Sequence, residues 1–183
     1  MKSEIWNLIR PMQKNSERQE TMKMVSRQSL VVLIAEDDPD DRLIIQEAIE
    51  GSVSSVEEGA PSREGGATSF EYRFVGGGDE VMPFLESSLD GDADRDCPLP
   101  ALILLDLNLP KKDGREILRE IKAHSVFRAI PVIVLTTSSS PEDIAYSYDS
   151  GANSYIVKPA DFEAMRDIMQ TLKKYWFDVI KLP

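Results

Sequence analysis

The stretch Leu102–Pro110, LILLDLNLP, decides the reading of this chain. Four apolar residues in a row, bounded by a polar position, read as a short strand buried on both faces. The run ends on a single acid, Asp106, with Asn108 two residues later. A carboxylate at the end of a buried strand is costly unless it has a partner, a metal or a chemical task. What the rest of the chain gathers around Asp106 therefore decides its role.

Working outward, similar runs recur at regular intervals. LVVLIA (30–35) is a second continuous apolar, β-branched run and reads as a buried parallel strand. DPDDRLIIQEAIEG follows, with Asp38 as N-cap, Pro39 at the first helical position and Gly51 at the end. FEYRFVG (70–76) alternates as a strand, and GDEVMPFLESSL (78–89) reads as a helix that tolerates Pro83. The third strand is ALILLD (101–106), and DGREILREIKAH (113–124) is a helix with Asp113 and Glu116 at capping-box spacing. IPVIVLTT (130–137) is a strand, and SPEDIAYSYDSG (140–151) a helix with Ser140 and Asp143 at the same spacing. SYIVKP (154–159) is the fifth strand. DFEAMRDIMQTLKKYWFDVI (161–180) is a long last helix whose Phe162, Met165, Ile168, Met169, Leu172 and Trp176 form one apolar stripe.

Strand and helix alternate five times, which implies a parallel sheet with right-handed crossovers. Residues 1–29 are polar, Met-rich and interrupted by Pro11, and read as an extension with one short helix at Glu4–Ile9; residues 30–183 are the domain. Residues 51–69 and 90–98 read as long loops.

The totals exclude several function classes. Twenty-one basic against 32 acidic residues, net −11, argue against nucleic acid and against an anionic membrane surface. One cysteine, Cys97, and one histidine, His124, allow neither a disulfide nor a zinc site. Neither a transmembrane run nor a signal-peptide pattern is present, so a cytoplasmic protein is expected. Neither a glycine-rich dinucleotide fingerprint nor a Walker loop follows any strand.

Ligands of open α/β sheets bind beyond the carboxyl ends of the strands. The first strand ends in Glu36-Asp37-Asp38, the third in Asp106, the fourth in Thr136-Thr137 and the fifth in Lys158-Pro159. Carboxylates converging on one rim repel, and a hard divalent cation such as Mg2+ resolves this. An aspartate is a competent nucleophile toward phosphorus, and an ammonium and a hydroxyl suit the phosphoryl oxygens. Taken singly, each of these residues has a plainer explanation: Asp38 as a cap, Asp40 and Asp41 as first-turn acids, Thr136 as a strand residue, Lys158 as a surface lysine. Their joint placement favours phosphoryl chemistry.

Four motifs in order, LIAEDDPDDR, LILLDLNLPKKDG, IPVIVLTT and GANSYIVKP, make the chain resemble receiver domains of two-component response regulators over roughly residues 30–180. The resemblance implies a flavodoxin-like receiver fold, a doubly wound five-stranded parallel sheet in the order 2-1-3-4-5. It implies Asp106 as phosphoacceptor, and Mg2+ held by Glu36, Asp37, Asp106 and the Asn108 carbonyl. Thr136 and Tyr155 would be the switch pair, Lys158 the phosphate-facing lysine, Lys158–Pro159 a cis bond and Gly114 the turn glycine. A sensor histidine kinase would be the phosphoryl donor. The ending YWFDVIKLP resembles single-domain receivers paired with phytochrome kinases, and no output domain is expected after it. Because a helix cannot bury Tyr175, Trp176 and Phe177 on one face, homodimerisation through the last-helix region is a further expectation. Phosphatases of the haloacid dehalogenase type also use a strand-end aspartate, but they place a second aspartate where Asn108 stands, and an amide cannot serve as general acid. A receiver fold that had lost phosphorylation would lack the acidic pair, the aspartate or the lysine, all of which are present.

Overall fold

In the computed structural model, residues 29–51, 69–89, 98–180 and 182 are described. The short helix expected at Glu4–Ile9, the 52–68 and 90–97 portions of the two long loops, and Cys97 lie outside them. The chain divides into two compact units, residues 1–30 with 61–70 and residues 31–60 with 71–183. Of the first, only Ser29, Leu30, Ser69 and Phe70 are described, as strand ends.

The elements follow the hydrophobic pattern. They are β1 (Ser29–Ala35), α1 (Pro39–Gly51), β2 (Ser69–Val75), α2 (Gly78–Ser87), β3 (Leu102–Leu105), α3 (Gly114–Ala123), a 3₁₀ turn (Phe127–Ala129), β4 (Val132–Thr136), α4 (Pro141–Asp149), β5 (Ser154–Val157) and α5 (Phe162–Lys173). The sheet order is β2-β1-β3-β4-β5, as the sequence implied. β3 pairs in parallel with β1 (Ile34 beside Leu104) and with β4 (Leu104 beside Ile133), which makes it central.

Successive side chains of a strand point to opposite faces, and the sheet has two cores. Leu33, Ile103, Leu105, Val132 and Val134 meet Val81 and Leu85 of α2 and Ile117, Leu118 and Ile121 of α3. Val32, Ile34, Leu102, Leu104, Ile133 and Leu135 meet Ile45, Ala48 and Ile49 of α1 and Met165, Met169 and Trp176. Each fully buried Leu or Ile contributes roughly 1.5–3 kcal/mol. The strand ends are thus fixed by packing on both faces.

Local expectations are corrected at several points. Asp113 Oδ1 caps α3 by accepting from Arg115 N at 2.7 Å, whereas Glu116 N bonds to the Asp113 carbonyl. Ser140 Oγ does accept from Asp143 N, at 3.2 Å, but the Asp143 carboxylate turns to the Arg115 guanidinium. A charged fork is a stronger partner than a neutral backbone N–H. No cis peptide bond occurs among the described residues, so Lys158–Pro159 is trans. Trans is the lower-energy X–Pro isomer by about 0.5–1 kcal/mol, and with it Lys158 N reaches the Thr136 carbonyl at 2.8 Å. The last helix is α-helical only to Lys173 and π-helical over Lys174–Val179. Within the expected stripe, Met165, Met169 and Trp176 are buried, while Phe162, at the solvent-facing first turn, is exposed.

Gly114 is required by contact. Gly114 N bonds to the Leu107 carbonyl at 2.9 Å, and a Cβ at Gly114 would lie 2.1 Å from the Asp106 carbonyl oxygen and 2.6 Å from Leu107 Cα. Both are backbone atoms that cannot swing aside. Gly114→Ala is expected to cost about 3 kcal/mol of unfolding free energy and to displace the Asp106–Asn108 segment, visible as chemical-shift changes there. An unchanged urea midpoint would contradict this close approach.

Candidate functional site

Asp106 follows directly on β3, and its backbone N–H bonds to the Ala35 carbonyl of β1 at 3.0 Å. Glu36 follows β1, tied by its N–H to the Val75 carbonyl of β2. Packing of three adjacent strands therefore delivers Glu36, Asp37 and Asp106 to one rim. One carboxylate oxygen from each lies within 4.8 Å of the others. Glu36 and Asp106 are buried and Asp37 is exposed, so the group opens to solvent on one side.

Lys158, just beyond β5, sends its ammonium into this cluster. Its Nζ lies 2.7 Å from Asp106 Oδ2, 2.5 Å from Glu36 Oε2 and 2.7 Å from Asp41 Oδ2. Burial opposes the charge on Lys158, but hydrogen bonds to Asp106, Asp41 and Glu36 override it and raise its pKa. Asp106 Oδ1 accepts from Asn108 N at 3.0 Å. The Asn108 amide in turn lies 3.4 Å from the hydroxyls of Thr136 and of Thr137. Thr136 is fully buried at the end of β4.

Three carboxylates, of Glu36, Asp41 and Asp106, thus face one ammonium, and a fourth, of Asp37, lies beside Glu36 and Asp106. Burial pushes the Glu36 carboxyl up to about 7, against the hydrogen bond from Lys158. A buried acid held near neutral beside a second acid is a site short of positive charge. Three hard oxygen donors with an open side suit a divalent cation that keeps part of its water shell.

The raised Glu36 value has a consequence for stability. Its folded pKa, about 7, exceeds the ordinary 4.5. Folding therefore retains a proton that the unfolded chain loses, and this contribution is present below the ordinary value and lost as pH rises through the folded one. Metal-free protein is expected to lose stability between about pH 5 and about pH 8, by on the order of 2–3 kcal/mol from this group. Urea unfolding at both ends checks it, and Glu36→Gln should flatten the loss. A slope unchanged by Glu36→Gln would show that Glu36 does not titrate there.

Tyr155 is not part of the acid–lysine cluster. Its hydroxyl donates to the Ser138 carbonyl at 3.0 Å, in the loop that follows Thr136. That loop is tied down by charge. Arg115 Nε donates to Asp143 Oδ1 at 2.8 Å, and Ser138 Oγ donates to Asp143 Oδ2 at 2.5 Å. The Arg115 guanidinium, with help from the Ser138 hydroxyl, holds the Asp143 carboxyl below the usual carboxylate range. Sequence reasoning missed this Arg115–Asp143–Ser138 link, which joins residues 28 apart in the chain.

It also assigned Asp41 to a plain first-turn role. A signal was available. Asp41 lies four residues before Ile45 and seven before Ala48, on the stripe of α1 that faces the sheet, and both of those residues are 0% exposed. An acid on a buried stripe needs a partner.

Response regulator Rcp1 of Synechocystis sp. is 35% identical to this chain over 153 residues, covering 84% of the chain and 92% of Rcp1. The chain belongs to the response regulator receiver family. The family model for the response regulator receiver domain matches residues 93–180. The phosphorylated cyanobacterial phytochrome response regulator RcpA is similar in structure, with TM-score 0.70, 35% identity and coverage of 85% of this chain and 99% of that one. The Mn2+-bound form of Rcp1 gives TM-score 0.68 at 34% identity, covering 84% and 99%. RPA3017, a response regulator in red light signaling of R. palustris, gives 0.69 at 31%, covering 84% and 98%. This receiver is thus a homologue of phytochrome response regulators, within two-component signalling. Among the described residues of this receiver, no helix is long and apolar enough to cross a membrane.

Proposed function

We propose that this receiver accepts a phosphoryl group on Asp106 from a sensor histidine kinase of phytochrome type, acting as a stand-alone switch in the cytoplasm. The observation that carries the reading is the buried Lys158 ammonium, 2.7 Å from Asp106 Oδ2, beside three carboxylates able to share one cation. The kinase assignment rests on the likeness to RcpA, a phytochrome response regulator, and to RPA3017, which acts in red light signaling. In domain terms, residues 30–183 form the receiver and residues 1–29 an appended extension.

An oxygen of the Asp106 carboxylate attacks phosphorus. The P–O bond forms as the P–N bond of the donor phosphohistidine breaks, and its electron pair leaves with the imidazole nitrogen. Lys158 offsets charge on a phosphoryl oxygen and holds Asp106 in line. Mg2+, held by Glu36, Asp37, Asp106 and the Asn108 carbonyl, would supply the remaining charge neutralisation. The Thr136 hydroxyl donates to another phosphoryl oxygen and leaves the Asn108 amide. Repacking of Thr136 is transmitted through the Ser138 loop to Tyr155, the second half of the switch. The receiver catalyses its own phosphorylation and dephosphorylation and turns over no separate substrate.

Acetyl phosphate with Mg2+ tests the reading. One acid-stable, base-labile phosphoryl group per chain is expected, with a change in the Tyr155 ring signals. No uptake with any acyl phosphate or histidine kinase would overturn it.

A homodimer through the last-helix region is part of the proposal, supported by Tyr175 and Val179, which are 50% and 65% exposed. Sedimentation with and without beryllofluoride checks this, and a monomer in both conditions would contradict it.

A further inference from the structure

Lys158 carries three N–H donors, and three carboxylates surround it: Glu36, Asp41 and Asp106. Two of these, Glu36 and Asp106, belong to the trio that can share one cation, whereas Asp41 does not. A cation bound to that trio draws on the same carboxylates that hold the lysine and repels its ammonium. The one anchor it leaves to Lys158 is Asp41.

We propose that Asp41 is a positioning residue that keeps the Lys158 ammonium within reach of Asp106 while Glu36 and Asp106 serve the cation. This rests on the reading of Asp106 as phosphoacceptor. Three observations support it. First, the Lys158–Asp41 pair is short, 2.7 Å, and joins a lysine side chain only 4% exposed to a half-buried carboxylate. Second, the backbone of Asp41 is tied down. Asp38 Oδ1 accepts from the N–H groups of both Asp40 and Asp41, at 2.8 and 3.2 Å, and Ile45 and Ala48 lock the same stripe of α1 into the core. Third, the Lys158 backbone is fixed through its N–H to the Thr136 carbonyl. A short carboxylate on a packed helix and a long flexible amine on a strand end are complementary: the acid supplies the fixed point that the lysine stem lacks.

The arrangement also separates two duties. Glu36 and Asp37 come from the strand end and face the cation. Asp41 comes from the first turn of α1 and faces only the ammonium. Removing Asp41 leaves the cation trio intact in kind, but Lys158 must then choose between following Glu36 and Asp106 and swinging out to water.

The test uses the full chain as wild type, Asp41→Asn and Asp41→Glu. Two quantities are measured: the maximal rate of phosphorylation by acetyl phosphate at saturating Mg2+, and the NMR signal of the Lys158 ammonium in Mg2+-loaded protein without donor. Asp41→Asn is expected to lower the maximal rate about tenfold or more and to abolish the slowed-exchange ammonium signal. Asp41→Glu, which keeps the charge, should restore both within about twofold of wild type. If Asp41 served only as a favourable first-turn acid, Asp41→Asn would shift the unfolding midpoint and leave rate and signal in place. Retention of either the wild-type rate or the ammonium signal in Asp41→Asn overturns the inference. If the wild type takes up no phosphoryl group, the phosphoacceptor reading fails, and the ammonium signal alone still decides whether Asp41 anchors Lys158.

Discussion

Asp106→Asn is expected to abolish phosphoryl uptake, lowering the rate by on the order of 10⁴-fold or more. The amide has the same shape and fits the same backbone contacts, but its oxygen is a poor nucleophile and cannot carry the transferred group. The fold should survive. Asp106 is one of three carboxylates about a single ammonium, with Asp37 close by, so neutralising it relieves repulsion as well as removing an ion pair. The unfolding midpoint of Asp106→Asn should therefore match or exceed that of wild type without metal. Intact-mass measurement after acetyl phosphate and Mg2+ checks the first part, and thermal unfolding the second. Uptake at a rate near wild type would place the phosphoacceptor elsewhere.

Lys158→Met should have the largest effect on stability. The lysine side chain is 4% exposed, and its partners Glu36 and Asp106 are 2% and 6% exposed. Removing one partner of a buried ionic group leaves uncompensated charge, at a typical cost of about 3–5 kcal/mol. The Asp41 contact adds less, because that carboxylate is 30% exposed. Metal-free Lys158→Met at about pH 8 is thus expected to lose several kcal/mol by urea unfolding. Mg2+ should recover much of the loss, since a ligand that binds only the folded state stabilises it by mass action. A loss below about 1 kcal/mol would mean that water already screens the cluster, against the burial described above.

The fold was legible because its signals are local and redundant. LVVLIA and LILL are continuous apolar runs that only a strand buried on both faces explains, and Asp38-Pro39 and Ser140-Pro141 announce helix starts with a cap and a ring-fixed φ. The convergence of Glu36, Asp37, Asp106 and Lys158 followed from strand order alone, because each sits at the carboxyl end of its strand. What was not legible depends on competition between partners. Asp143 has the spacing of a capping box, yet the guanidinium of Arg115, brought near by α3, outbids a backbone N–H. Asp41 was read from its place in the first turn, where an acid is favourable anyway, and its lysine lies 117 residues away in the chain. The widening of the last helix to π-helical form after Lys173 left no periodic mark, since the apolar stripe continues to Trp176 across the change.

The measurement that bears most directly on the central claim is chemical trapping of the phosphorylated residue. Protein treated with acetyl phosphate and Mg2+ is reduced with borohydride, which converts an aspartyl phosphate to homoserine, and is then mapped by peptide mass spectrometry. Homoserine at position 106 is expected, dependent on both donor and metal. Homoserine at Asp37, Asp38 or Asp41, or none at any position in protein that carries a phosphoryl group, would contradict Asp106 as the phosphoacceptor.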